Sequence, residues 1–261
     1  MDLGLQGKRA LVLGSSRGLG LAIAQALAAE GVAITLCGRS RKVLVNAVGK
    51  LTTAGAEADY LMLDLADPAQ RRAALDGLLA DGRGYDILIN NGGGPAPGSV
   101  CTVGTEQWQN AFDSMVSALF EVTAKVLPGM RERGWGRVIN VVSSGVVQPI
   151  PNLGISNTLR ASIIGWAKTL AGEVAAEGVT VNSVIPGRIA TARVGELDEA
   201  AAKRSGSTAE AVAKASRNTI PIGRYGDPAE FADAVTFLAS ARASYITGTS
   251  LRVDGGLIRG I

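Results

Sequence analysis

Strand-like and helix-like runs alternate from one end of this chain to the other, and that alternation limits the folds open to it. "RALVLG", "AITLCG", "ADYLMLD", "YDILINN", "GRVINVVSS", "VTVNSVIPG" and "TSLRVDGG" are short, rich in Val, Ile and Leu, and close in Gly, Asn, Ser or Asp, as strands do. Several lack polar alternation, which is expected of strands covered on both faces. Between them, "GLGLAIAQALAAEG", "RKVLVNAVGKLTTAG", "PAQRRAALDGLLADG", "TEQWQNAFDSMVSALFEVTAKVLPGMRERG", "ISNTLRASIIGWAKTLAGE" and "DPAEFADAVTFLASA" space their apolar residues at helical intervals. Parallel neighbours need crossover helices, so the pattern implies an α/β fold with one doubly wound parallel sheet, the Rossmann arrangement. No linker, repeat or low-complexity tract interrupts it, and residues 1–261 are expected to form a single domain.

The chain has no histidine. That removes Ser-His and Cys-His nucleophile pairs and histidine metal sites together. Proton transfer is left to Tyr, Lys, carboxylates, Ser or bound water. Cys37 and Cys101 supply neither a disulfide framework nor a metal-ligand cluster, so no metal is expected and a reducing, cytoplasmic setting is the default. A net charge of +3 from scattered basic residues is too weak to suggest nucleic acid or a membrane surface. No run approaches bilayer-spanning length, and "MDLGLQGKRALVLG" lacks the long apolar core of a targeting segment.

Between the first strand and first helix, "LVLGSSRGLGLAIAQAL" sets Gly14, Gly18 and Gly20. Glycine there permits positive φ and lets backbone N–H groups approach a pyrophosphate at the helix N-terminus. In this strand–turn–helix context a dinucleotide site is expected, a structural tight turn being the plainer alternative. The second strand ends "CGRS", with Gly38 where an acid would bind ribose hydroxyls and repel a 2′-phosphate. Arg39 follows it, and Arg17 lies within the glycine loop. Two guanidiniums without a carboxylate suit a phosphomonoester, which favours NADP over NAD; otherwise both are solvated surface charges.

Residues 187–226, "GRIATARVGELDEAAAKRSGSTAEAVAKASRNTIPIGRYG", break the rhythm with two Ala-rich helical patterns beyond a strand C-terminus. A mobile substrate lid is expected over 188–225, with an inert surface excursion as the alternative.

Taken together, these segments resemble the short-chain dehydrogenase/reductase family, of the 3-oxoacyl-[acyl-carrier-protein] reductase-like kind, over almost the whole chain. "GSSRGLG" is similar to its TGxxxGxG loop, with Leu13 in place of Thr, and implies cofactor contacts from Gly14, Ser16, Arg17, Gly18, Leu19 and Gly20. "LDLAD" resembles the adenine-contacting segment, at Asp64 and Leu65. "NNGGG" resembles the NNAG motif at Asn90–Gly93, which implies cofactor contacts from Asn91, Gly92 and Gly93. "GRVINVVSS" brings the family's catalytic serine to Ser144, and "VNSVIPGRIAT" matches the segment beside nicotinamide at Pro186, Gly187, Ile189 and Thr191. "GRYGDPAEFADAVTFLASARASYITGTSLRVDGG" resembles the family's C-terminal helix and strand. The resemblance implies a small-molecule carbonyl or alcohol substrate and a homotetramer or homodimer.

It breaks at the catalytic residues. Where the family has Tyr-x-x-x-Lys this chain has Ser156 and Arg160, and Met115 stands where an asparagine belongs. Shifting the alignment by one gives Asn157 and Ala161 instead. A phenol with pKa near 10 can be tuned towards neutrality by a cation; a serine hydroxyl starts much further away and is shorter. Arg160 can bond ribose hydroxyls and favour an oxyanion, but it cannot donate a proton at ordinary pH. Ser144 is therefore the leading catalytic candidate, with strand-end capping as its alternative, and Arg160 is expected to face the cofactor. Ser156 occupies the catalytic place but is more simply a helix N-cap, and Met115 a core residue.

Tyr60 and Tyr85 lie on other segments, while Tyr225 or Tyr245 could approach only if the lid closes. Arg160, Arg188 and Arg193 could surround a carboxylate or phosphate. An NADP-dependent oxidoreductase with an altered proton relay leads the functional readings. A non-catalytic dinucleotide-binding protein and a non-redox lyase, isomerase or epimerase remain beside it.

Overall fold

The computed structural model describes residues 1–80, 82 and 84–260. Its strands are β1 (Arg9–Val12), β2 (Ala33–Gly38), β3 (Ala58–Met62), β4 (Ile87–Asn90), β5 (Gly136–Val141), β6 (Val179–Pro186) and β7 (Ser250–Val253). They form one parallel sheet in the order β3-β2-β1-β4-β5-β6-β7. Chain order reverses between β1 and β4, and that reversal opens a crevice at the strand C-termini.

Helices cover both faces: α1 (Gly18–Ala29), α2 (Arg41–Thr53), α3 (Pro68–Gly77), α4 (Thr105–Phe112), α5 (Ala118–Glu132), α6 (Gly154–Val174), α7 (Ala192–Ser205), α8 (Ala209–Asn218) and α9 (Pro228–Ala239). The unbroken apolar strands follow from this double covering. Ile87 and Ile89 of β4 enter the layer with Ile23, Leu27 and Phe231, whereas Leu88 between them joins Val116, Leu119 and Ile163 on the other side. Starts are marked locally where the sequence allows it. Asp67 accepts from Ala69 and Gln70 N–H ahead of Pro68, and Asp227 with Glu230 forms a reciprocal cap ahead of Pro228. No helix among the described residues is long and apolar enough to cross a membrane.

Two elements depart from expectation. The continuous helical pattern from Thr105 is broken by a π-helical turn, Asp113–Ser117, between α4 and α5. A single widened turn shifts the apolar phase too little to register in the sequence. Arg71 of α3, fully buried, braces it from outside: Nη2 donates to Asp113 Oδ1 at 3.0 Å and Nε to Glu121 Oε2 at 2.7 Å. Secondly, Ser156 is not the N-cap of α6. The helix begins at Gly154 with Leu153 as its cap, which leaves Ser156 buried in the first turn. Packing decides this start: a Cβ on Gly154 would meet Val100 Cγ1 at 1.8 Å, so the Gly98–Val100 strip lies directly on the helix entry.

The Arg71 hydrogen bond holds the Glu121 carboxyl below the ordinary glutamate range, while burial pulls weakly the other way. The ionised pair thus stabilises the fold above the unfolded value and is lost as pH falls through the lower folded one. In urea unfolding, Glu121→Gln should flatten the wild-type loss of stability between about pH 5 and pH 3.

Candidate active site

The crevice is floored by backbone, and glycine is what lets the segments approach. Gly14 (φ +56°) and Gly18 (φ +59°) take left-handed conformations. A Cβ on Gly20 would lie 2.4 Å from the Gly14 carbonyl oxygen, so the first turn of α1 can rest on the loop only without one. Asn91 Nδ2 donates to the carbonyls of Leu13 and Gly14, each at 3.2 Å, and fastens the loop after β4 to the glycine loop. Ser15 Oγ donates to Val12 O at 2.7 Å and accepts from Cys37 N–H at 2.9 Å, tying in β2. A Cβ on Gly38 would stand 3.3 Å from Ser16 Cβ, so the end of β2 abuts the loop.

Arg17 and Arg39 are exposed, and neither is in a salt bridge or side-chain hydrogen bond among the described residues. Leu19 sits in the first turn of α1 and packs partly on the core. Asp64 and Leu65 follow β3; Asp64 N–H is taken by Gln70 Oε1, while Leu65 Cδ1 comes within 3.8 Å of a Cβ placed on Gly92. On the far wall, β6 ends at Pro186, and a Cβ on Gly187 would strike Asp254 Cα at 2.6 Å. Ile189 is buried and bridges to Gly226; Thr191, which caps α7, reaches within 4.0 Å of a Cβ on Gly18. Most of the expected cofactor positions thus border one crevice. Its residues suit a dinucleotide: a side-chain-free cradle at a helix N-terminus, with two unengaged guanidiniums beside Gly38.

Arg160 projects from α6 into the same crevice. Nη1 donates to Val141 O at 2.9 Å and Val142 O at 3.4 Å, and Nη2 to Gly92 O at 3.1 Å and Gly93 O at 3.4 Å. The guanidinium therefore joins the chain ends of β4 and β5. Desolvation, and secondarily the charge of Arg193, draws its pKa down to about 10. It remains a cation at neutral pH, and no carboxylate among the described residues is bonded to it.

Around it lie hydroxyls and a thioether. Ser144 is buried at the head of the short turn Ser144–Val146. Ser143, outside the expected site, is only half-buried; its Oγ accepts from Gly145 N–H at 3.2 Å, which leaves its proton free to donate. The one-residue offset that puts Asn157 in the tyrosine place, read in reverse, makes Ser143 the serine paired with Ser156 and Arg160. Asn157 donates from Nδ2 to Ile150 O at 2.9 Å, and its buried Oδ1 has no partner. Met115 lies in the π-helical turn and packs in the apolar core with Ile155 and Leu159.

No tyrosine serves this cluster. Tyr225 donates to Asp198 Oδ2 at 2.8 Å, and burial raises its pKa; Tyr245 is fully exposed. Arg188 donates to the other oxygen of Asp198 at 3.1 Å, so it is already neutralised. No group of three or more His, Cys, Asp or Glu side chains among the described residues is placed to hold a metal ion.

A doubly wound sheet with a glycine cradle at its switch point defines a dinucleotide-binding α/β protein of the Rossmann type. Residues 14–258 match the family described as Enoyl-(Acyl carrier protein) reductase. The chain is 37% identical over 257 residues to the 3-oxoacyl-[acyl-carrier-protein] reductase FabG of Vibrio cholerae, covering 98% of this chain and 99% of that protein. Among solved structures it is similar to L-sorbose reductase from Gluconobacter frateurii complexed with NADPH and L-sorbose. That match has a TM-score of 0.93 and 33% identity, over 100% of both chains. A gluconate 5-dehydrogenase from Burkholderia cenocepacia in complex with NADP and tartrate gives a TM-score of 0.88 at 30% identity, over 100% of this chain and 98% of that one. The chain belongs to the short-chain dehydrogenase/reductase family, and within it is 3-oxoacyl-[acyl-carrier-protein] reductase-like.

A lysine ammonium presents its donors from one atom and cannot span carbonyls on two strand ends as a guanidinium does. Arg160→Lys should therefore cost about 1–2 kcal/mol in urea unfolding of the cofactor-free protein. An arginine that served only a cofactor would leave that stability unchanged.

Proposed function

We propose that the protein is an NADP(H)-dependent oxidoreductase that interconverts a carbonyl and a secondary alcohol, with Ser-x-x-x-Arg in place of Tyr-x-x-x-Lys. The observation that carries the cofactor choice is the pair of exposed, unengaged arginines, Arg17 in the glycine loop and Arg39 directly after β2, where Gly38 abuts that loop at Ser16. A 2′-phosphate gives both a partner, and no acid ends β2 to repel it. NADPH and NADP in the sorbose reductase and gluconate dehydrogenase structures support the same choice. The reaction type is supported by the reductases and dehydrogenases to which the chain is similar.

A bound nicotinamide supplies the hydride, and the protein supplies position and field. Arg160, held rigid by four carbonyls, faces a cleft with a positive charge that no acid neutralises. Such a fixed charge stabilises the alkoxide that develops on the substrate oxygen. A serine hydroxyl, Ser143 or Ser144, orients that oxygen, and Ser156 lines the same first turn of α6. The proton comes from water entering at the mouth, because Met115 offers no proton where the family has an asparagine and, among the described residues, no tyrosine hydroxyl is bonded to this cluster. The α7–α8 segment acts as the substrate lid, fixed at its base by the Arg188–Asp198–Tyr225 contacts.

One observation favours a second reading, dinucleotide binding without turnover: no tyrosine hydroxyl reaches the cleft. Calorimetry with NADPH, followed by NADPH oxidation over a panel of ketones, separates the two. Slow turnover by the native protein is expected. Activity that arises only in a folded Ser156→Tyr/Arg160→Lys double variant points to the binding-only reading. For the cofactor itself, Arg17→Ala and Arg39→Ala should each weaken NADPH binding by roughly tenfold while leaving NADH binding nearly unchanged.

A further inference from the structure

We propose that the substrate is anionic, carrying a carboxylate or phosphate ester that Arg193 of the lid holds opposite Arg160. The proposal rests on the oxidoreductase reading above and names the substrate class for that same cleft.

The loop after β4 has glycine at three successive positions, Gly92, Gly93 and Gly94. A Cβ on Gly93 would meet nothing within 4 Å, so this part of the wall is open. Two guanidiniums grip the loop from different elements. Arg160 of α6 donates to the carbonyls of Gly92 and Gly93, and Arg193 of α7 donates from Nη2 to Pro95 O at 2.9 Å. A Cβ on Gly94 would lie 3.6 Å from that same Arg193 nitrogen. The two cations sense each other, since the charge of Arg193 adds to burial in lowering the Arg160 pKa.

Neither cation is firmly neutralised. Arg160 spends its bonds on carbonyl dipoles. Arg193 meets Glu196 at 3.3 Å in an exposed pair one turn apart, the kind of contact that contributes little and exchanges readily. Arg188, the third arginine of this region, is taken out by buried Asp198. Two like charges on one side-chain-free loop repel until an anion lies between them. A planar or tetrahedral oxyanion head matches the forked donors of Arg193 in place of its exposed Glu196 contact, while Arg160 adds its charge; a neutral polyol gains neither.

The test uses the protein saturated with NADP and three six-carbon probes that differ only at C1: gluconate, sorbitol 1-phosphate and sorbitol. Calorimetry should show one anion binding at least roughly tenfold more tightly than sorbitol. The favoured probe distinguishes carboxylate from phosphate. Arg193→Gln, with its melting temperature and NADP affinity measured alongside, should erase the preference. Acetoacetate against ethyl acetoacetate, as reducible substrates, repeats the comparison on a shorter skeleton. Parity or a disadvantage for the anion in both series, or a preference that survives in Arg193→Gln, overturns the proposal and leaves the cofactor reading intact. Absence of heat with NADP itself overturns the cofactor reading and the proposal with it.

Discussion

A half-buried guanidinium, held among the described residues by nothing but carbonyl oxygens, is the constraint on which the rest of this cleft depends. Taking a cation out of water costs several kcal/mol, and proteins usually recover it with a carboxylate. Here the compensation comes from the chain ends of β4 and β5, whose carbonyls point at Arg160 from two directions. The dipoles hold the charge without cancelling it, and its pKa of about 10 keeps it ionised. Arginine suits this task and lysine does not, because only a planar fork can bond two separated strand ends at once. The substitution at this position is therefore coherent with its surroundings: it exchanges a proton-tuning ammonium for a rigid positive wall.

The other changes follow the same direction. On the proposed reading there is no phenol to tune, so a movable ammonium and a relay asparagine have no task beside Ser156 and Arg160. Met115 sits in the core, presented by a π-helical turn that Arg71 braces through Asp113 and Glu121. Such turns often mark functional positions. Of Met115, Ser144, Ser156 and Arg160, only the first is apolar; the others keep polar groups at the cleft.

Much of the fold was legible from periodicity, because it depends on local pattern. The doubly buried strands, the glycine loop and the capped starts of α3 and α9 all leave signatures within a few residues. What escaped depends on contacts distant in sequence. The start of α6 is set by Val100 against Gly154, more than fifty positions away, so Ser156 looked like a cap and is a buried first-turn residue. The π-helical turn shifts the helix phase by too little to show, and the choice between Ser143 and Ser144 hangs on a one-residue offset that no pattern fixes. The two arginines Arg188 and Arg193 beyond β6 were indistinguishable as letters; only the fold separates Arg188, bound to Asp198, from Arg193, which reaches the glycine-rich loop.

That separation gives Asp198 a role beyond structure. A carboxylate buried on α7 bonds Arg188 with one oxygen and Tyr225 with the other, and so ties both the cation and the phenol to that helix. Arg188 is thereby neutralised and the Tyr225 hydroxyl engaged. What remains facing the glycine loop is one rigid cation below, one exchangeable cation above and a serine hydroxyl beside them. A site so composed holds negative charge well and moves protons poorly. On the proposed function, its rate is governed by how firmly it fixes a charged substrate, with protonation left to water.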